Sequence, residues 1–474
     1  MQATRLPGVA LGIVHGDQIV HLKGFGTARP DGPAVTPQTP FTIGSTTKSF
    51  TALATMQLVE VGKMALDAPV QRYLPWFRVA DADASAHITV RHLLNQTSGL
   101  PTQETAAQLA GSDSSDGALE HYVRSLQTVQ LTAPVGTTFQ YSNTNFDILG
   151  LIVQTVAGQP YEHYVQQHIF APLAMRNAFT SPAEARAHGR ATGHRFWFDR
   201  PVPYEMPYNR GEFPAGFINA SAEDMAHYLI AHLNGGGYGA TSVLSQAGVA
   251  ELHRPAVSIG YAGASYAMGW FVGATNGVPT VAHGGSTANF HANLVLVPEG
   301  KWGIVLLMNG ENGLHLARID AIAPGVTSLV MGQQPPPFVA PNDFRPTLLT
   351  YILIVLGLQV LGLIRSAVLL RRWRRESARR PRGRMRVALR LVPPPVLNLV
   401  WACVGLVVVP PFLGAPLLAL PMFVPDLGYA LLLSAGLALG WGLLRPIAVV
   451  LVLRARGEPR ATVVPKESGL SANA

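Results

Sequence analysis

The sequence predicts an α/β fold, an α/β sandwich with an all-α insertion, followed by about three transmembrane helices. Short apolar, β-branched runs stand near both ends of residues 1–332, and the stretch between them has the periodicity of helices. Beyond Arg345 the chain turns into uncharged apolar runs close to the roughly 20 residues that cross a bilayer. The composition agrees, because 48% of the residues are hydrophobic and 13% are charged, against about 25% charged in a typical soluble protein.

The predicted strands lie at the two ends of the body. Residues 8–14 and 18–25 are joined at Gly16-Asp17, which is typical of a hairpin turn. Strands at both ends with a helical middle imply the sandwich and its insertion. The remaining strands are expected at residues 266–273, 280–283, 289–297 and 302–308.

The predicted helices occupy the middle of the body. One begins at Ser45 and continues to residue 61, where Gly62 ends it. Another opens at residues 221–224, which resemble a capping box, and continues to residue 233. The other helices are expected at residues 89–96, 143–157, 161–170 and 313–331.

The chain divides into three parts by composition. Residues 1–332 form the body, residues 333–346 a Pro-rich linker that is stiff and extended, and residues 347–474 a membrane region. Prolines make the span boundaries uncertain, so a fourth span remains possible. The three expected spans cover about residues 347–370, 393–415 and 427–450.

The net charge of +8 belongs to the tail alone. Residues 1–345 hold 19 basic and 23 acidic residues, whereas residues 346–474 hold 16 basic and 4 acidic ones. An acidic body excludes the basic face that nucleic-acid binding requires. By the positive-inside rule the basic segments are cytoplasmic, which places the body outside the cytoplasm and the C-terminus inside. Those arginines are at positions 371, 372, 374, 375, 379, 380, 382, 384 and 386 in the loop and 454, 456 and 460 in the tail.

The beginning of the sequence does not match this topology. Met1 is followed at once by a strand pattern, with no charged segment, apolar run or cleavage site of a signal peptide. Since a large domain needs such a signal for export, we expect the true start to lie upstream of Met1.

Ser45-Thr46-Thr47-Lys48 is the first candidate for catalysis. At the start of a helix, Lys48 lies one turn after Ser45 on the same face. A serine hydroxyl is a poor nucleophile unless a base takes its proton, and a buried lysine can do this. Only one of the five lysines has a serine three positions earlier. Alone, however, the pattern is equally explained by Ser45 as a helix cap.

Two further patterns lie downstream. Tyr141-Ser142-Asn143 stands at the start of a predicted helix, where a Tyr141 phenolate stabilised by a lysine could act as general base and Asn143 could bind substrate. His283-Gly284-Gly285 ends a predicted strand, and the next amide, that of Ser286, could join the amide of Ser45 in an oxyanion hole. Taken singly, the first pattern is explained by a turn before a helix and the second by a hairpin.

In this order, S-x-x-K, Y-x-N and H-x-G resemble the serine β-lactamase and penicillin-binding protein superfamily, and most of all its class C β-lactamase-like hydrolases, DD-peptidases and related esterases. The surroundings strengthen the resemblance, which covers about residues 6–332. They include residues 41–44 before the serine, residues 62–67 after its helix, residues 90–101 (VRHLLNQTSGLP), residues 214–216 and residues 221–225.

The resemblance implies acylation of Ser45 by an amide or ester carbonyl, with Lys48 and Tyr141 shuttling the proton. Asn143, His283, Gly285 and Ser286 would bind the substrate, a D-amino-acid peptide, a β-lactam or a small ester. No metal or other cofactor is implied, and the sequence has no H-E-x-x-H motif. The single cysteine, in the tail, excludes an intrachain disulfide and a cysteine zinc site.

The sequence departs from the family in its third motif. His283 replaces the usual lysine, so the permanent charge for a substrate carboxylate is missing, and Gly284 lacks the usual threonine hydroxyl. Both changes favour a peptidase, amidase or esterase over a β-lactamase. The alternative function is a sensor that binds or slowly acylates and signals through the spans. A transporter is disfavoured because the spans hold few ionisable residues, and the oligomeric state is not predicted.

Overall fold

A computed structural model describes residues 4–102, 112–261, 263–335, 337, 344–381, 383–413 and 416–455. The chain forms two compact units. The first comprises Met1–Thr347 together with Gly414–Gly428, and the second comprises Leu348–Leu413 and Tyr429–Ala474. The predicted basic positions 382, 456 and 460 lie outside the described residues.

An antiparallel sheet of eight strands forms the centre of the first unit. Its order is β2-β1-β14-β13-β12-β11-β10-β9, so the N-terminal hairpin pairs with the strand that is last in sequence. The strands of the described residues are β1 (Gly8–His15), β2 (Gln18–Gly26), β3 (Phe41–Thr42), β4 (His194–Trp197), β5 (Arg200–Pro203), β6 (Asn219–Ala220), β7 (Gly237–Tyr238), β8 (Thr241–Ser242), β9 (Val257–Ser258), β10 (Ser265–Tyr266), β11 (Phe271–Thr275), β12 (Val278–Ser286), β13 (His291–Val297), β14 (Trp302–Met308) and β15 (Gly310–Glu311).

Helices join the sheet on both faces and fill the middle of the chain. The helices of the first unit are α1 (Thr47–Glu60), α2 (Ala82–His87), α3 (Val90–Leu94), α4 (Ala118–Ser125), α5 (Asn143–Ala157), α6 (Tyr161–Val165), α7 (Pro182–Ala187), α8 (Phe213–Gly216), α9 (Ala222–Leu233), α10 (Gln246–Leu252), α11 (Leu316–Asp320) and α12 (Ile322–Val330). Single 3-10 turns occur at Gly44–Thr46, Val70–Arg72, Leu126–Thr128 and Arg210–Glu212, and a π-helical turn at Gln166–Phe170.

The sandwich arises because the strands are apolar on both faces. Alternate residues of a strand point to opposite faces, and in β14 Val305 and Leu307 belong to the large core while Ile304 and Leu306 belong to a smaller one. Helix α9 contacts β1 and β14, and its buried residues share the large core. Helices α11 and α12 supply Ile319 and Ala323 to the smaller core. The predicted α/β sandwich with a helical insertion is confirmed.

Local chemistry explains where the sequence-based boundaries were wrong. The strand expected at residues 266–273 is two strands, β10 and β11, because Gly269 has φ +79° and turns the chain. The helix expected from residue 45 begins with a 3-10 turn and becomes α-helical at Thr47. Ser221 caps α9 by accepting from the Asp224 amide, but the Asp224 carboxylate bonds the Ser221 hydroxyl and the Asn177 amide rather than completing the capping box.

The second unit is helical. Three helical stretches are long and apolar enough to span a membrane: Phe344–Arg375, Arg384–Phe412 and Pro425–Arg454. The Trp401 indole donates to the Ser434 hydroxyl at 2.8 Å, and this hydroxyl donates to Gln359 at 2.9 Å, the kind of interhelical polar contact found in membrane proteins. The three stretches contain α13 (Phe344–Arg375), α14 (Arg384–Leu391), α15 (Pro393–Cys403), a π-helical turn at Val404–Val408, α16 (Val409–Phe412) and α18 (Pro425–Arg454). A 3-10 turn at Ser377–Arg379 lies between the first two stretches, and α17 (Leu420–Phe423), which belongs to the first unit, precedes the third.

Candidate active site

Ser45 lies where a strand-like approach turns into helix α1. Gly44, just before it, has φ +55°, a conformation that glycine adopts without strain. The 3-10 turn then brings Ser45 above the first turn of α1, which carries Lys48. The Lys48 ammonium donates to the Ser45 hydroxyl at 3.1 Å. The two residues of the S-x-x-K pattern are therefore in direct contact.

Lys48 is fully buried and is held by three acceptors. Besides Ser45 it donates to Asn143 Oδ1 at 2.7 Å and to the Ala215 carbonyl at 2.8 Å. A lysine ammonium has three hydrogens, so these three contacts use all of them and fix its direction. Ala215, on α8, was missed as a site residue, although its sequence neighbourhood 214–216 had been recognised as a family segment.

Tyr141 and Asn143 approach Lys48 from the insertion. Asn143 is the first residue of α5, and Tyr141 stands in the extended chain just before it. The Lys48 Nζ atom lies 5.0 Å from the centre of the Tyr141 ring. The same ring is stacked with Phe271 of β11 at 6.4 Å between centroids. The helical insertion and the sheet thus meet around the lysine.

Gln96 holds the segment that carries Tyr141. Its carbonyl accepts from the Gln140 amide at 2.8 Å, and its side-chain oxygen accepts from the Ser142 amide at 2.9 Å. The Asn145 side-chain amide also donates to this oxygen. Gln96 has φ +60° and is fully buried. Its position within the family-like segment 90–101 was the only sequence signal for this positioning role.

Strand β12 brings the third pattern beside the serine. A β-carbon at Gly285 would lie 2.0 Å from the Ile43 carbonyl oxygen and 3.0 Å from the Ser45 amide nitrogen, so only glycine permits this approach. A β-carbon at Gly44 would likewise lie 2.8 Å from the Ser286 amide nitrogen. The two amides expected to form an oxyanion hole therefore flank the same close contact.

His283 is buried behind this edge. Burial lowers the pKa of His283 to about 3, and the nearby charge of Lys48 acts in the same direction. Its Nε2 atom lies 3.5 Å from the Tyr266 hydroxyl, and its ring packs against Phe271 with 5.1 Å between centroids. The imidazole is therefore neutral in the physiological range and offers no positive charge to a substrate.

The Ser286 side chain is connected to a buried ion pair. Its hydroxyl lies 3.1 Å from His291 Nδ1, and the same nitrogen lies 2.9 Å from Glu311. Burial is the largest single influence and opposes protonation of His291, but the charge of Glu311, its hydrogen bond to His291 and the charge of Asp320 together raise the pKa of His291. This pair anchors the end of β12 through a side chain.

A narrow cavity of about 100 Å³ opens at Ser45. Glu212 is the charged residue among its described lining residues. No group of three or more histidine, cysteine, aspartate or glutamate side chains with metal-binding geometry occurs among the described residues. The lining consists of Ser45, Asn143, Met206, Pro207, Asn209, Glu212, Ala215, Gly216, Phe217, Ser286, Thr287, Met422 and Phe423.

Known proteins are similar to this chain in sequence and fold. A family model described as Beta-lactamase matches residues 1–326. The chain belongs to the β-lactamase family. Protein flp of Staphylococcus aureus (strain MW2) is 30% identical over 312 residues, covering 65% of this chain, and this chain spans 61% of that relative's length.

Two further β-lactamase family relatives extend the comparison. Penicillin-binding protein 4 of Amycolatopsis lactamdurans is 30% identical over 349 residues, covering 72% of this chain and 90% of that protein. The structure of the octameric penicillin-binding protein homologue from Pyrococcus abyssi superimposes with a TM-score of 0.63 at 27% identity, covering 74% of this chain and 79% of that one. The recognised superfamily and its fold are thus confirmed.

The structure brings the predicted site residues to one place. The Lys48 ammonium is surrounded by Ser45, Asn143 and Tyr141. Gly285 contacts the backbone at Ser45. Ser286 lines the cavity, whereas His283 lies behind it, buried. The arrangement can present a hydroxyl to a carbonyl carbon beside a proton-carrying amine.

Proposed function

We propose that this chain is a serine hydrolase that forms an acyl-enzyme on Ser45. The contact of 3.1 Å between Lys48 Nζ and the Ser45 hydroxyl is the observation that carries the proposal. Ser45 Oγ attacks the substrate carbonyl carbon while its proton passes to the Lys48–Tyr141 pair. The proton then goes to the leaving alcohol or amine, and water hydrolyses the acyl ester to release the acid and free Ser45.

The charge that develops on the carbonyl oxygen needs donors. The amides of Ser45 and Ser286 are proposed to supply them, since Gly44 and Gly285 allow their backbones to approach. Loss of one such donor costs roughly 10²–10³ in rate in other hydrolases. Asn143, held by Lys48, is proposed to orient the substrate.

The cavity favours acyl donors that do not depend on a carboxylate. His283 is neutral, and Lys48 has all three hydrogens in use. Glu212 would repel a substrate carboxylate. Small esters and amides, including amides of D-amino acids, are therefore proposed before β-lactams, although two relatives carry the name penicillin-binding protein.

The body is proposed to work outside the cytoplasm, anchored by its three apolar stretches, with the C-terminus inside. The arginine-rich loop between the first two stretches supports this orientation. Protease digestion of intact cells that express the full chain should degrade residues 1–345. Full protection of that region would refute the orientation.

Hydrolysis by the full-length, detergent-purified chain tests the chemistry. We expect turnover of p-nitrophenyl acetate, abolished by Ser45→Ala. Ser258→Ala is the control, because Ser258 is an exposed serine on the edge strand β9 and is not among the residues that line the cavity. Peptides ending in D-alanine and β-lactams are assayed in parallel to identify the acyl donor.

The alternative, a sensor, gives a different time course. One equivalent of product released in a burst, followed by a stable Ser45 adduct detected by mass, would show acylation without turnover. Equal hydrolysis by the wild type and Ser45→Ala would contradict both functions, because each requires the Ser45 hydroxyl.

A further inference from the structure

The chain that links the second apolar stretch to the third belongs to the body, together with the first residues of the third stretch. Residues 416–428, called the 416–428 segment below, are grouped with the first unit although the second stretch precedes them and the third begins within them at Pro425. Leu420, Val424 and Leu427 are buried. The Asp426 carboxylate, 2% exposed, accepts from the Phe198 amide at 3.1 Å. Apolar burial and a buried polar contact thus hold this segment in place.

The absence of a side chain at Gly313 allows the 416–428 segment to pack against its backbone. A β-carbon at Gly313 would lie 2.4 Å from the Phe423 carbonyl oxygen and 2.8 Å from Val424 Cγ2. The Gly313 carbonyl in turn accepts from the Arg345 guanidinium at 2.8 Å. The backbone of the segment therefore packs directly on the residues that follow β15.

Two side chains of the docked segment reach the cavity. Met422 and Phe423 are half-buried and line the same cavity as Ser45 and Ser286. With Met206 and Phe217 they make this part of the lining apolar. The cavity of about 100 Å³ is smaller than the roughly 300–1,000 Å³ of usual small-molecule sites. Met422 and Phe423 form part of the boundary of this small space.

We propose that the 416–428 segment is a specificity element of the Ser45 site: Met422 and Phe423 form a wall that admits small acyl donors and excludes bulky ones. The proposal rests on the function proposed above, because it concerns which substrates reach Ser45. The membrane region would then contribute to substrate selection through the 416–428 segment, in addition to anchoring the body.

Access to position 45 can be measured without turnover. In a full-length Cys403→Ser, Ser45→Cys chain, the introduced thiol is the single cysteine and reacts with methyl or benzyl methanethiosulfonate. Met422→Ala with Phe423→Ala should raise the benzyl-to-methyl rate ratio about tenfold or more, since a single methylene in an apolar pocket already discriminates by at least about tenfold. Leu418→Ala is the matched control, because Leu418 lies in the same segment but is 63% exposed.

Gly313→Ala is an independent perturbation. It leaves Met422 and Phe423 in the sequence but displaces the backbone on which they are carried, and should raise the same ratio. Gly325→Ala is its control, since the nearest atom to a β-carbon there is 4.0 Å away. An unchanged benzyl-to-methyl ratio in both Met422→Ala/Phe423→Ala and Gly313→Ala would refute the proposal that Met422 and Phe423 restrict access to position 45.

Turnover separates this inference from the proposed function. With Ser45 intact, the wall variants should increase the hydrolysis of p-nitrophenyl octanoate relative to the acetate, again by about tenfold. If no variant hydrolyses any ester but the labelling ratio still rises, the hydrolase proposal is refuted and the proposed wall of Met422 and Phe423 is supported. If the variants hydrolyse the two esters with the same relative rates as the wild type and the labelling ratio is unchanged, only the proposed wall is refuted.

Discussion

Replacing Lys48 by methionine should separate catalysis from folding. Methionine keeps the length and flexibility of the buried stem, so α1 and its surroundings lose little packing. The change removes the ammonium that contacts Ser45, Asn143 and Ala215. We therefore expect a folded protein in which no positive charge is left to stabilise a Tyr141 phenolate, so that the Lys48–Tyr141 pair no longer takes the Ser45 proton, and in which Asn143 has lost one of the partners that orient it.

The size of the catalytic loss follows from the role of the base. A positioned general acid or base contributes roughly 10²–10⁴ in rate, so acylation by Lys48→Met should fall by about that factor. The stability change has two opposing parts. Each hydrogen bond lost, at Asn143 Oδ1 and at the Ala215 carbonyl, costs about 1.5–3 kcal/mol, the usual contribution of a hydrogen bond to a charged group. The fully buried ammonium, however, no longer has to be desolvated, which offsets this cost.

Stopped-flow hydrolysis of p-nitrophenyl acetate measures the acylation rate, and thermal melting of the detergent-purified chain measures folding. Lys63→Met is the matched control, because Lys63 is an exposed lysine just after the same helix. We expect Lys63→Met to equal the wild type in both assays. Lys48→Met with an acylation rate within tenfold of the wild type and an unchanged melt would refute the assignment of Lys48 to proton transfer.

Two further predictions concern strand β12. Gly285→Ala should lower kcat/KM about 10²-fold or more, because its β-carbon would displace the backbone at Ile43 and Ser45. Gly284→Ala should not lower kcat/KM in this way, because the nearest atom to its β-carbon would be 3.5 Å away. Equal losses in the two variants would contradict the close approach of Gly285 to Ser45. For His283, burial lowers the pKa from 6.5 to about 3, so the unfolded chain takes up a proton that the folded one refuses as the pH falls below about 6.5. This lost stability reaches about 2 kcal/mol at pH 5, and His283→Asn should melt with a smaller difference between pH 8 and pH 5 than the wild type, whereas an equal difference would exclude a neutral buried imidazole.

The residues whose chemistry is local could be predicted from sequence. Ser45 and Lys48 contact because a helical spacing of three places them on one face, and the apolar runs at residues 289–297 and 302–308 predicted the strands β13 and β14. The place where strands β10 and β11 separate depended on the left-handed backbone of Gly269. A window of apolar residues does not reveal such a turn, which explains why one strand was expected there.

Contacts between residues that are distant in sequence could not be predicted from local sequence patterns. Gln96 stands 46 residues before Ser142, whose amide it accepts, and nothing in the local pattern pairs them. Leu420 and Val424 lie in an uncharged apolar run between the second and third expected spans, and composition alone does not distinguish burial in lipid from burial against a protein. Asp426 is the exception in that run, since an acidic residue beside an apolar span needs a partner, and its bond to the Phe198 amide identifies the body as that partner. An isolated carboxylate at the edge of an expected span therefore indicates that the neighbouring chain packs on a protein surface. In this chain the carboxylate is Asp426, and the residues just before it, Met422 and Phe423, line the Ser45 cavity.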